Sequence, residues 1–500
     1  MSEQTEKKLT LVSLVLMIFT SVYGFANMPR AFYLMGYGAI PWYILGAITF
    51  FLPYAFMMAE YGAAFKKEKG GIFSWMEASV GPKYAFIGTF MWYASYLVWQ
   101  VNVSSTIWIP LSNAIFGEDR TGSLSLLGLN STQTLGILGV IWIMIVTFIS
   151  SKGISAIKKV TSVGGSAITL LNILLIGGGL LILALRGGDF AEPIISTDST
   201  INIFTSPNPA YQSMISIFSF FTYAIFAYGG IEAVGGLVDQ TNKAEVTFPK
   251  GVAISAIIIS IGYSIGIFSI GCFTNWQEIL SAENVNTANV TYIVMRNLGY
   301  NLGLVLGTST NTALIIGRIF ARITGLAMFL ALTGAFFTLI YAPLKQLIEG
   351  TPQHLLSDKI TALNHNMPVK AMILQGIVVA ILILLVSFGG DNASAFFNKL
   401  VTMTNVAMTI PYMFLSIAFI FFKKKENIHK PFEVYKSHRT ALIATIVVTF
   451  FIGIANLFTI IEPAIHNKLS DTLFAGGGPI LFAIIAYLLY WRYENHYLKK

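Results

Sequence analysis

Apolar runs of about 18 or more residues recur from one end of the chain to the other, the length a helix needs to cross a bilayer. The polar stretches between them are too short to hold a soluble domain. This alternation predicts an all-α membrane protein with about twelve transmembrane helices. Spans 1 to 12 cover residues 9–37, 41–65, 84–116, 134–151, 160–185, 211–239, 248–273, 312–347, 369–388, 397–422, 440–461 and 477–491. Residues 152–159 read as a turn, and 275–299 are too polar to cross. Twelve spans leave both termini on one side.

Two spans are interrupted in the middle. Span 1 carries Tyr23-Gly24-Phe25-Ala26-Asn27-Met28-Pro29-Arg30, where Pro29 lacks a backbone donor and Gly24 frees the turn before it. Span 6 carries Phe226-Ala227-Tyr228-Gly229-Gly230-Ile231-Glu232-Ala233-Val234-Gly235-Gly236. Each glycine weakens a helix by roughly 1 kcal/mol relative to alanine, and an acid at bilayer depth costs a further ~2.5–3.5 kcal/mol. Such a stretch is tolerated where broken backbone lines a protein-walled cavity.

The breaks lie five spans apart, and an odd number of spans per repeat turns the second copy upside down. Interrupted helices at matching positions of two inverted halves point to a transporter binding site. The expected organisation is a first repeat at 9–185, a second at 211–422, two further helices at 440–491, and cytoplasmic ends at 1–8 and 492–500. The repeat rests on the positions of the breaks, since the halves share no convincing residue identity.

Unwinding frees amide N–H groups at the start of the second half-helix and carbonyls at the end of the first. The N–H end suits a carboxylate and the carbonyl end an ammonium. Together they recognise an α-amino acid backbone without a charged side chain of their own.

Charge refines the topology. Eight basic residues (Arg30, Arg120, Arg186, Arg296, Arg318, Arg322, Lys399 and Lys468) fall on one side of the predicted membrane, and the rest of the 31 fall with the termini. The asymmetry places both termini in the cytoplasm of a multi-pass protein of the cell (inner) membrane. The net charge of +8 is thus a topology signal and gives no reason to expect nucleic acid as a partner. Lys423-Lys424-Lys425 reads as a stop on translocation. Residues 1–8 open straight into span 1, so no removable signal peptide is expected. A single cysteine, Cys272, excludes an intrachain disulfide and a cysteine metal cluster. No metal or cofactor is expected, no phosphate-cradling Gly-Lys-Ser/Thr loop occurs, and no nucleophile–base cluster suggests an enzyme.

Gly230-Ile231-Glu232, the Gly70-Gly71 loop with Trp75, and twelve spans with cytoplasmic ends resemble the amino acid–polyamine–organocation superfamily. The likeness is strongest to its glutamate/γ-aminobutyrate antiporter family, and Leu9 to Tyr37 resembles the YjeM-type branch. The resemblance implies a LeuT-like fold, a five-plus-five inverted repeat with two further helices, in which substrate sits between the two breaks and access alternates by rocking of a helix bundle. It makes Phe226 an aromatic gate over the substrate. Two departures matter: acid antiporters carry a glutamate in span 8 where this chain has Ala335, and a long C-terminal plug where nine residues follow Trp491.

The expected function is a secondary active transporter of an amino acid or related amine, as an exchanger or proton-coupled symporter. The alternative is a channel or nutrient receptor on the same fold. The expected substrate contacts are Tyr23, Gly24, Ala26, Asn27, Phe226, Tyr228, Gly229 and Gly230, with protons and membrane lipid as further partners. Glu232 is expected to hold the broken helix, with proton coupling or a purely structural role left open. Asn27 bonds either the substrate or a neighbouring helix. Arg30 contacts substrate at the outer mouth or anchors the surface, and Arg318 and Arg322 either guide an anionic substrate or, the safer reading, snorkel to headgroups. Glu60 is expected to have a structural partner at the membrane interface. Trp92, Trp99 and Trp108 read as packing residues, with Gln100 as the one side chain of that group to reach the cavity. Thr402, Thr404 and Asn405 line the path or bond helices, and His365 reads as a loop residue.

Overall fold

The computed structural model describes residues 8–194, 205–364 and 367–498, with the side chains of 391–402, 404 and 498 outside the description. Among the described residues, ten stretches are long and apolar enough to cross a membrane. One of them, Leu11–Ala64, holds spans 1 and 2, which fold back on each other at Gly36–Gly38. Span 3 is also a helix, Pro82–Thr106 continued by Trp108–Phe116, but its Ser, Thr, Asn and Gln residues lower its hydropathy. All twelve expected spans are therefore helical, and no β-strand occurs among the described residues.

Local chemistry sets several ends. Span 4, Ser131–Ser150, opens on a reciprocal cap between Asn130 and Gln133, and span 11, His438–Ile465, on one between Ser437 and Thr440. The predicted turn at 152–159 is shorter than expected. Gly153, at φ 118°, makes the whole reversal, and span 5 starts at once as Ile154–Leu185. Span 12 likewise begins earlier than predicted, as Leu469–Tyr493. Two helices escaped the hydropathy pattern because neither crosses the bilayer. Ile72–Ser79 follows span 2, and Val290–Val305 follows span 7.

Long-range pairs bring Leu9, Glu494 and the loops after spans 2, 6 and 10 onto one face. Leu9 exchanges backbone bonds with Gln240 and Asn242 beyond span 6. Lys83 at the start of span 3 pairs with Glu494 at 3.0 Å, and Lys66 after span 2 pairs with Glu245 at the start of span 7. On the same face Glu60 is fully buried; it accepts from Lys423 at 2.9 Å and from the amides of Val434 and Tyr435 at 2.6 and 2.7 Å. Glu60 does have a structural partner, but inside the protein rather than at an open interface. The Lys423 side chain is 4% exposed and also meets Glu433.

Candidate functional site

Both predicted breaks are present, and they touch. The first half of span 1 is Leu11–Val22; the helix resumes as Asn27–Met35. In span 6 the helix Met214–Phe226 stops, Gly230 adopts φ 114°, and the chain continues as a tight 3₁₀ segment, Ile231–Leu237. A side chain at Gly230 would place its Cβ 2.5 Å from the carbonyl oxygen of Ser21. Glycine is therefore required twice over, by the left-handed backbone and by the approach of span 1. At the two restarts, the amides of Phe25 and Ala26 in span 1 and of Ile231 in span 6 make no hydrogen bond among the described residues.

Tyr263 of span 7, which no local pattern marks out, joins the two breaks. The hydroxyl of Tyr263 accepts from the amide of Gly24 at 3.0 Å and from the Asn27 side chain at 3.2 Å. It lies 3.1 Å from the carbonyl oxygen of Val22 and 3.0 Å from that of Ala227, with one proton to donate between them. Both carbonyls end the first halves of their spans.

Glu232 sits directly after the span 6 break and is 1% exposed. One carboxylate oxygen accepts from Trp92 at 2.9 Å, Tyr96 at 3.2 Å and Tyr412 at 3.2 Å. The other accepts from the amide of Gly230 at 3.2 Å. A buried carboxylate is tolerable only when its acceptor sites are filled. Here four donors fill them, tying the break to spans 3 and 10. Trp92, read as packing, is thus one of the donors.

Beside the breaks lies a cavity of about 290 Å³. Its wall is made by Thr20 and Ser21 of span 1, Tyr96 and Trp99 of span 3, Phe226, Gly229 and Gly230 of span 6, Leu332, Ala335 and Leu339 of span 8, and Asn405, Met408, Thr409 and Tyr412 of span 10. A larger hollow of about 470 Å³ lies beside Phe116 and Arg120, but no broken helix borders it.

Of the predicted contacts, Phe226, Gly229 and Gly230 line this cavity. Tyr23, Gly24, Ala26, Asn27 and Tyr228 do not. Tyr23 is buried edge-on against Tyr263 at 5.0 Å, and Tyr228 is buried with its ring stacked on Phe51 and its hydroxyl on the Tyr43 carbonyl. Side chains flanking a break turn to the neighbouring helices, so what a break offers is backbone, and Gly24 is the exposed position there. Asn27 spends its amide between helices, donating to Tyr263 and accepting from Tyr223 at 3.3 Å. In span 3 Trp99 reaches the cavity, whereas Gln100 is fully buried outside it with neither side-chain atom hydrogen-bonded. Trp108 bonds the Ser104 carbonyl of its own helix. Arg30 donates to the Thr287 carbonyl at 2.7 Å, and Arg318 and Arg322 are exposed. The side chains of Thr402 and Thr404, and His365 entirely, lie outside the described residues.

Polar contacts that no local sequence pattern marks tie span 8 to the segment after Glu232. Lys345 of span 8 is 1% exposed and holds Asp239 at 2.5 Å and the Gly236 carbonyl at 2.9 Å. Its neighbour Gln346 donates to the Ala233 carbonyl at 3.0 Å and accepts from the Ile72 amide at 2.8 Å. Gly71, at φ 51°, passes so close that a Cβ there would meet Gln346 at 2.3 Å. The Gly70-Gly71 loop therefore docks on span 8 and on the segment that carries Glu232.

Paired broken helices beside a cavity within the helix bundle are the arrangement of a membrane transporter, and comparison with known proteins agrees. Residues 9–490 match the amino acid permease family, and the chain belongs to it. It is 53% identical over 493 residues to the inner membrane transporter YjeM of Salmonella typhimurium, covering 98% of this chain and 97% of that one. More distant relatives are the aspartate/glutamate permease AcaP of Lactococcus lactis subsp. cremoris, 24% identical over 88% of this chain and 84% of that protein, and a glutamate/γ-aminobutyrate antiporter of Lactococcus lactis subsp. lactis, 23% identical over 91% and 84%. The chain is a multi-pass membrane protein and a secondary transporter of the amino acid permease family.

Proposed function

We propose that this transporter binds the α-amino and α-carboxylate groups of its substrate, an amino acid or closely related amine, at the meeting point of the two breaks. It then moves the substrate by alternating access, as an exchanger or proton-coupled symporter. The observation that carries the reading is that the two breaks touch while the amides of Phe25, Ala26 and Ile231 remain unbonded. Free amides at the start of a half-helix attract a carboxylate, and the carbonyl ends that Tyr263 bridges suit an ammonium. Phe226 acts as the gate over the bound substrate, and Glu232 holds the span 6 break in shape.

The rocking halves are the repeats 9–185 and 211–422, with 440–491 outside them. In support, the short helices Ile72–Ser79 and Val290–Val305 each follow the second span of a half, on opposite faces. Both termini lie in the cytoplasm of the inner membrane, since most of the 31 basic residues share their face.

Purified protein in liposomes tests this reading. Uptake of an amino acid is expected to saturate and to be accelerated by the same amino acid inside. A response to an imposed pH gradient separates symport from exchange. Flux without saturation or counterflow would mark a channel instead.

A further inference from the structure

The wall facing the reactive backbone says what kind of side chain the substrate carries. No described residue lining the cavity bears a charge. Span 8 contributes Leu332, Ala335 and Leu339, and Phe226, Trp99 and Met408 complete an apolar surface. Most polar residues of the wall spend their protons inside the protein. The hydroxyls of Thr20 and Ser21 donate to the Met17 carbonyl at 2.8 and 2.9 Å. Tyr96 and Tyr412 donate to Glu232, and Thr409 to the Asn456 side-chain oxygen at 2.6 Å. Glu232 does not itself line the cavity, and Trp92, Tyr96, Tyr412 and the Gly230 amide enclose it.

A charged substrate side chain in such a cavity has no counter-ion and no donor set to replace its water, which makes its burial costly. An apolar side chain meets carbon on most sides and loses only unfavourable hydration. We infer that the substrate is an amino acid with an uncharged, apolar side chain, with span 8 forming the floor of the side-chain pocket. Acidic amino acids, named for the two more distant relatives, are disfavoured here. The inference rests on the substrate backbone lying at the two breaks, because that orientation points the side chain at span 8.

The test is counterflow in liposomes that hold the full-length protein, across a panel of leucine, methionine, phenylalanine, glutamate, aspartate, lysine and γ-aminobutyrate. The apolar three are expected to exchange with kcat/KM at least about a hundredfold above glutamate and lysine. Glutamate, aspartate or lysine exchanging as well as leucine would overturn the side-chain assignment while leaving the transporter reading intact. Exchange of none of the seven, with no thermal stabilisation by any of them, would overturn both. An Ala335→Lys variant adds a second readout, with leucine exchange lost and glutamate exchange gained. If that variant folds and still prefers leucine, span 8 is not the floor of the pocket.

Discussion

The hydroxyl of Tyr263 sits 3.0 Å from the amide nitrogen of Gly24, and the same oxygen is 3.0 Å from the carbonyl of Ala227 in the other broken span. One phenol thereby registers span 1 against span 6. Replacing it with phenylalanine keeps the ring contacts to Tyr23, Tyr43 and Tyr228 at 5.0–5.2 Å. The Tyr263→Phe variant is expected to lose only about 1–2 kcal/mol of stability while substrate affinity falls roughly tenfold or more. Uptake kinetics and a melting curve on the same preparation check this. Wild-type affinity would mean that the register of the breaks does not depend on the bridge.

Glu232→Gln trades an acceptor oxygen for an amide that itself donates, so one of the four donors around it then faces another donor. A buried donor left unpaired costs about 1–3 kcal/mol. The variant is expected to insert and fold, to melt at a lower temperature in detergent, and to transport poorly. Full transport with unchanged melting would remove Glu232 from the mechanism.

Phe226 borders the cavity on span 6. Truncation to alanine opens that side. Phe226→Ala is expected to raise KM and speed substrate release in a pre-loaded efflux assay. Unchanged efflux would count against the gate.

Lys345 and Asp239 are a buried pair tying span 8 to the segment after Glu232. Removing one partner strands the other, at a cost of about 3–5 kcal/mol. Lys345→Met alone is therefore expected to lower the melting temperature markedly, and adding Asp239→Asn to recover much of the loss. The double variant is further expected to favour the state open on the face that carries the termini, read by labelling of a cysteine introduced near Gly236. A double variant as unstable as the single one would show that the charges are not coupled.

The two breaks were legible because glycine, proline and an acid in the middle of an apolar run have few structural excuses. Gly230 and Glu232 are such residues. Tyr263, Trp92, Tyr96 and Tyr412 were not legible, since an aromatic side chain within a span reads as packing whether or not its polar atom serves a partner. The side chains of Tyr23 and Tyr228 do not line the cavity. Proximity in sequence to a break says that the backbone is exposed, but the side chains turn outward to spans 7 and 2. Ala335 of span 8 lines the cavity. Lys345 and Asp239 lie more than a hundred residues apart, and no local pattern pairs them.

The central claim is that bare peptide ends of two broken helices hold the charged backbone of the substrate. Competition against leucine counterflow by leucinamide, which lacks the carboxylate, and by 4-methylpentanoate, which lacks the amine, tests it most directly. If the breaks hold both charges, neither compound competes at concentrations where leucine does. Equal competition by either one would contradict it.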